Sequence, residues 1–275
     1  MVSSSLSPAY WRASLEEMKS LRRWVFAALI CALSIVVGAF FLSVGPNLRV
    51  KFTFFFTAVG CAVYGPFLGL LVGAVSDILG YVLFPSGAFF PGYTLSAMAG
   101  GLIYALFLYR KKITVLRLFL AKFFVNYLVN VGLGCLWSHI IYGKGYLYYA
   151  STSLVKNTLL LPLEVILLSV LFAVLIPAFS RMGLLPGHEK KDLEKLSLGS
   201  SALTVFGLDC LVAAAAGAYF STTLESGVLG FRILAIVLAV LGIALLILGP
   251  VLRKNRKASI LHRQSRPGTG ELGGA

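Results

Sequence analysis

The chain has 275 residues, of which 59% are hydrophobic and 12% charged, with a mean hydropathy of +0.90. A soluble domain is about 45–50% apolar and about 25% charged, so the composition excludes disorder, a secreted disulfide scaffold, a nucleic-acid-binding domain and an ordinary soluble enzyme. A polytopic, all-α integral membrane protein remains, and the net charge of +14 becomes a question of which side of the bilayer each cation occupies.

Residues 1–23 are polar and carry Arg12, Lys19, Arg22 and Arg23. The apolar run behind them is too long, and the leader too polar, for a cleaved signal, so a retained first helix is expected. A hydrocarbon core takes about 20 apolar residues per helix. Eight runs are candidates: 24–43, 53–65, 67–84, 92–109, 115–142, 152–180, 202–220 and 229–251. Gly65-Pro66 divides the second from the third, because proline cannot continue the helical ladder. The fifth and sixth are long and are expected to tilt or to begin outside the hydrocarbon. A cytoplasmic linker over 183–201 separates a six-helix unit, 24–182, from a transmembrane hairpin, 202–252. The basic, glycine-rich tail 253–275 is expected to be disordered.

With the N-terminus placed inside, eighteen Lys and Arg fall on the inner side and five on the outer, with Lys122 inside the fifth span. This bias predicts a multi-pass protein of the cell membrane with both termini cytoplasmic and anionic lipid beside its inner cations.

Catalytic signatures are absent. The chain holds no GxxxxGK[ST], HExxH or GxSxG motif, and His139, His188 and His262 lie far apart. Cys31, Cys61, Cys135 and Cys210 sit in apolar runs and form no CxxC pair, as expected of packing residues. Neither a catalytic residue nor a metal site is expected, and binding or transport is favoured over an enzyme.

The outer cations run against the charge bias. Arg49 and Lys51 follow the first span, Lys144 follows the fifth, and Lys156 begins the sixth. No Asp or Glu shares their loops, and Phe89, Phe90, Tyr93, Trp137, Tyr142, Tyr146, Tyr148 and Tyr149 lie around them. Arginine clamps a carboxylate through two parallel hydrogen bonds, lysine adds a point charge, and rings stack on a heterocycle. The set suits a flat, anionic ligand; the competing reading is an interfacial aromatic belt with lysines reaching headgroups.

Within the spans stand Asp77, Asn126, Asn130, Asn157 and Glu164. Polar residues in a span face the bundle interior. Asn126 and Asn130 share one helix face, either bonding between helices or touching a ligand. Glu164 lies about two turns from Asn157, placed to accept from a heterocycle or to pair with Lys156. Asp77 pairs with Lys122 or caps a local network. Ala28 with Ala32, and Gly69 with Gly73, form small-xxx-small patterns that let helix backbones approach.

The run FTFFFTAVGCAVYGPFLGLLVGAVSDILGYVLFPSGAFFPGYTLSAMAGGLIYALFLYRKK resembles the substrate-binding (S) component of energy-coupling factor (ECF) vitamin transporters. With NYLVNVGLGCLWSHIIYGKGY and LVKNTLLLPLEVILL, it is most similar to the folate-specific branch. The resemblance implies a six-helix S-component-like bundle, here with an additional C-terminal hairpin, that binds folate or a related vitamin near its outer face. It implies a transmembrane coupling subunit of the EcfT type and two ECF ATPase subunits, with ATP-Mg in those partners and no cofactor in this chain. Arg49 and Lys156 would meet anionic or carbonyl groups. Trp137, Phe90, Tyr93 and Tyr146 would stack, Asn157 and Glu164 would hydrogen-bond, and Ala28 and Ala32 would form part of the coupling surface. The alternatives are an S component for another flat metabolite and a non-transporting membrane assembly protein.

Overall fold

The computed structural model describes residues 7–45, 48–85, 89–143, 146–184, 198–223 and 236–247, without the side chains of 41–51, 142, 146–152, 198–202 and 216–223. Residues up to 196 form one compact unit and those from 197 a second.

The first unit opens with α1 (Pro8–Glu17), a helix inside the stretch read from sequence only as a polar segment. Ser7 caps it by accepting from the Tyr10 amide, and Pro8 sits in the first turn, where its missing N–H costs nothing. Tyr10 and Ser14, four apart on one face, are buried. α2 (Leu21–Ala39) turns Ala27, Ile30, Cys31, Ser34 and Ile35 inward and leaves Val25, Leu29 and Val36 exposed. Strands β1 (Phe41–Gly45) and β2 (Leu48–Lys51) then form an antiparallel hairpin that the all-helical reading does not contain.

α3 (Phe54–Leu83) merges two runs read as separate spans. Its break is real: Gly65 adopts φ 80°, ψ −172°, open to a residue without Cβ, and Pro66 follows. Cys61 Sγ lies 3.1 Å from where a Cβ on Gly69 would sit, although a straight helix would set residues eight apart about 12 Å along its axis. The two halves therefore fold back on each other. The second half packs on α4 (Pro91–Leu108) along a seam of small residues. A Cβ on Gly101 would meet the Gly69 carbonyl oxygen at 2.6 Å, one on Gly73 would meet the Ala97 oxygen at 2.7 Å, and Thr94 donates to Asp77 at 2.7 Å. The Gly69-xxx-Gly73 spacing marks this seam.

α5 (Val115–Phe124), a π-helical segment (Val125–Leu133) and α6 (Gly134–Tyr142) run on as one rod. α7 (Tyr146–Arg181) begins six residues before the expected span and contains Pro162 and Pro177. It ends in a Schellman closure at Gly183 (φ 66°): Leu184 donates to the Phe179 carbonyl and Gly183 to that of Ser180.

The basic end of the unit is tied together. Arg22 donates to the Met182 carbonyl, and Arg23 donates to those of Val63 (2.7 Å) and Leu184 (2.8 Å). Cations thus sit on the negative end of the α7 dipole. Glu17 bridges Arg23 at 3.6 Å and Arg110 at 3.1 Å. Tyr10 donates to the Ala105 carbonyl at 2.9 Å and packs edge-on against Tyr109. Burial first, then the Glu17 carboxylate beside it, hold the Tyr109 hydroxyl above the usual phenol range.

In the second unit, α8 (Leu198–Thr223) and α9 (236–247) cross at Gly207 and Gly242, where a Cβ on either would meet the other's carbonyl oxygen within 2.9 Å. The expected tail 253–275 lies outside the described residues. Five helices among the described residues are long and apolar enough to cross a membrane: Leu21–Ala39, Phe54–Leu83, Pro91–Leu108, Val115–Ile141 and Ser153–Arg181. Leu203–Ala215 and Ile236–Ile247 are apolar but shorter. The second and third expected runs are the two halves of α3, on either side of the break at Gly65-Pro66. The described cysteines are free: Cys31, Cys61 and Cys135 are buried and Cys210 is half-buried.

Candidate functional site

Where α5 and the π segment face α7, polar side chains displace the apolar packing. Lys122, only 2% exposed, pairs with Glu164 at 3.1 Å and stands 4.0 Å above the Phe54 ring. A lone charge so buried would cost several kcal/mol; pairing and the ring face offset that cost. Glu164 also accepts from Asn126 Nδ2 at 2.9 Å. This answers both pairings left open by the sequence: the partner of Glu164 is Lys122, and Asp77 instead accepts from Thr94.

From Glu164 the polar chain runs toward the α6 end of the rod. Asn126 Nδ2 donates a second time, to the Asn157 carbonyl, at 3.3 Å. Asn130 Nδ2 donates to Asn126 Oδ1 at 3.2 Å and to Asn157 Oδ1 at 3.3 Å. Asn157 Nδ2 turns back to the Ser153 carbonyl at 2.7 Å and hydroxyl at 3.2 Å. Tyr127 and Thr158 close the side of the seam with a 2.6 Å bond between hydroxyls. Asn126 is fully buried, whereas Asn130 is exposed. The π segment, a form of helix concentrated at functional sites, carries Asn126, Tyr127 and Asn130.

A second cluster joins α6 to the start of α4. Trp137 Nε1 donates to Ser96 Oγ at 2.8 Å, and Phe90 lies 5.5 Å from the Trp137 ring and 5.7 Å from that of Tyr93. Tyr93 is 43% exposed. Phe90, Tyr93 and Trp137, singled out separately in the sequence, are therefore one ring cluster.

Other expected residues are placed less fully. Arg49 stands on β2 opposite Ser43, and Tyr146 is the first residue of α7; both side chains lie outside the described residues, as does Lys144. Lys156 is half-buried and precedes Asn157 on α7. Ala28 and Ala32 are exposed, in line with Val25, Leu29 and Val36 on the outer stripe of α2. Sequence reasoning missed Lys122 as the charge partner, and Ser96, Ser153 and Thr158 as hydroxyl contacts. Two signals for Lys122 were available: its place inside a span, and its spacing of four from Asn126. Among the described residues, no group of His, Cys, Asp and Glu is arranged to hold a metal.

Comparison with known proteins places this architecture. The chain is 38% identical over 151 residues to the folate transporter FolT of Clostridium novyi (strain NT), covering 55% of this chain and 88% of that protein. It is 31% identical over 151 residues to the folate transporter FolT of Leuconostoc mesenteroides subsp. mesenteroides, with 52% and 80% covered. A crystal structure of FolT bound with folic acid aligns with a TM-score of 0.49 at 31% identity, covering 53% of this chain and 88% of that one. The family model described as "ECF transporter, substrate-specific component" matches residues 22–178, from the first turn of α2 nearly to the end of α7. That stretch contains both the polar chain and the ring cluster, and the chain belongs to the family of substrate-specific components of ECF transporters.

Proposed function

We propose that this protein is the folate-binding component of an ATP-driven ECF importer of the plasma membrane. It takes the vitamin at the end away from the basic cluster and delivers it to the cytoplasm, where both of its termini lie. The observation that carries the reading is the asparagine chain built on the buried Lys122–Glu164 pair, inside the stretch matched by the ECF substrate-specific family model, in a chain 38% and 31% identical to two proteins named as folate transporters.

Folate has a flat pterin with several hydrogen-bonding edges and a tail with two carboxylates. Arg49 and Lys156 engage the anionic tail or its carbonyls. Trp137, Phe90, Tyr93 and Tyr146 supply ring faces to the pterin and its neighbouring ring. Asn157 and Glu164 belong to the polar side of the site. The domain plan is a binding unit over 24–182, a linker over 183–201, a hairpin over 202–252 and a cytoplasmic tail. Energy comes from two ATPase subunits that use ATP-Mg, acting through an EcfT-type coupling subunit that docks on the Ala28–Ala32 face.

The test is mass spectrometry of the small molecule that co-purifies with the detergent-solubilised protein. A folate is expected. A different vitamin, or repeated purification with no bound heterocycle and no folate binding on addition, overturns the reading.

A further inference from the structure

The hydrogen-bonded chain has a direction, and its origin lies at the buried end. An ionised carboxylate only accepts. Glu164 therefore obliges Asn126 to aim its NH2 group inward, and that group donates to Glu164 Oε2 at 2.9 Å and to the Asn157 carbonyl at 3.3 Å. Asn126 Oδ1 is left facing Asn130, which answers with its own NH2 group at 3.2 Å. The same group reaches Asn157 Oδ1 at 3.3 Å, and the NH2 of Asn157 is spent on Ser153. All three amide groups thus donate to protein acceptors. What remains is Asn130 Oδ1, without a partner among the described residues, on the exposed member of the chain.

Lys122 holds the origin in place. Its ammonium stands 3.1 Å from Glu164 Oε1 and 4.0 Å above the Phe54 ring, so Glu164 accepts on both oxygens, from Lys122 on Oε1 and from Asn126 on Oε2. With a neutral carboxamide at position 164, the end group can donate as well as accept, so Asn126 can turn over and Asn130 with it.

We infer that the Lys122–Glu164 pair is a positioning device that sets the hydrogen-bond polarity of the Asn126–Asn130–Asn157 chain, so that the site offers an acceptor, Asn130 Oδ1, to a donor edge of the vitamin's heterocycle. The inference rests on the vitamin reading above. On a 2-amino-4-oxo pteridine the donors are the exocyclic amine and the adjacent ring N–H, and a chain of opposite polarity would instead select an acceptor edge. Lys122 and Glu164 touch no ligand on this account; they specify which edge is read.

The test compares binding of folic acid with that of its 2-desamino-3-methyl analogue, which lacks both donors. It uses the full chain in detergent as wild type, as Lys122→Met/Glu164→Gln and as Asn130→Ala. The wild type should prefer folic acid at least about tenfold, and in both variants that preference should shrink at least about fivefold. A packing role for the pair would weaken both ligands alike and leave their ratio intact. An unchanged ratio in the variants overturns this inference and leaves the folate reading standing. Should the double variant fail to fold, Asn130→Ala, at an exposed position, decides alone. A wild type that binds neither compound overturns the folate reading and this inference together.

Discussion

Lys122 and Glu164 form the buried ion pair from which the polar chain of the candidate site starts. Breaking such a pair leaves one charge buried and uncompensated, at about 3–5 kcal/mol, whereas removing both partners is close to neutral. Thermal unfolding in detergent should therefore show Lys122→Met to be much less stable than Lys122→Met/Glu164→Gln; equal losses would mean that the charges do not depend on each other. Arg49→Ala and Lys156→Ala should each weaken folate binding at least tenfold, about 1.4 kcal/mol, by titration calorimetry, and unchanged affinity removes that residue from the site. The sequence already sets Asn126, Asn130, Asn157 and Glu164 apart, because an amide or carboxylate in an apolar span is conspicuous. It leaves the partner of Glu164 open, since that depends on the register between two helices, which no periodicity within one helix fixes. Ser96 and Thr158 escape notice for another reason: hydroxyls are ordinary in membrane helices and gain meaning only from what they face.

At the level of elements, the seam between α3 and α4 makes the sharpest demand. Gly100 and Gly101 are sequence neighbours, yet a Cβ on Gly101 would meet Gly69 backbone at 2.6 Å while one on Gly100 meets nothing within 4 Å. Gly101→Ala should cost about 1–3 kcal/mol through overpacking, and Gly100→Ala should leave the unfolding midpoint in place. Similar behaviour of the two variants would contradict the close approach. The long helices are legible in the sequence because a run of apolar residues is a strong signal, and Gly65-Pro66 announces its own break. Short elements are not. α1 and the β1–β2 hairpin lack long apolar runs, although Ser7-Pro8 at a helix start and Gly45-Pro46-Asn47 between two short strands are turn chemistry that a closer reading uses.

At the scale of the whole molecule, the proposed capture site and the proposed coupling face fall on different elements. The polar chain lies where α7 faces the π segment, while Ala28 and Ala32 sit on the exposed stripe of α2. Ala28→Leu or Ala32→Leu should accordingly leave folate affinity unchanged in detergent and lower uptake by proteoliposomes that also hold the coupling and ATPase subunits. Loss of binding by either variant would place that residue in the fold's interior instead. Which of these faces meets a partner is invisible to composition, since lipid and protein partners both select apolar residues.

The clasp of Arg22 and Arg23 on the carbonyls of Met182, Val63 and Leu184 has a practical corollary. Where the binding unit's polypeptide enters and where it leaves are stitched side by side. A fluorophore attached at Lys19, just ahead of α2, and a quencher attached at Met182 would thus be held close together, and their separation would directly gauge whether that stitch stays shut while the transporter cycles.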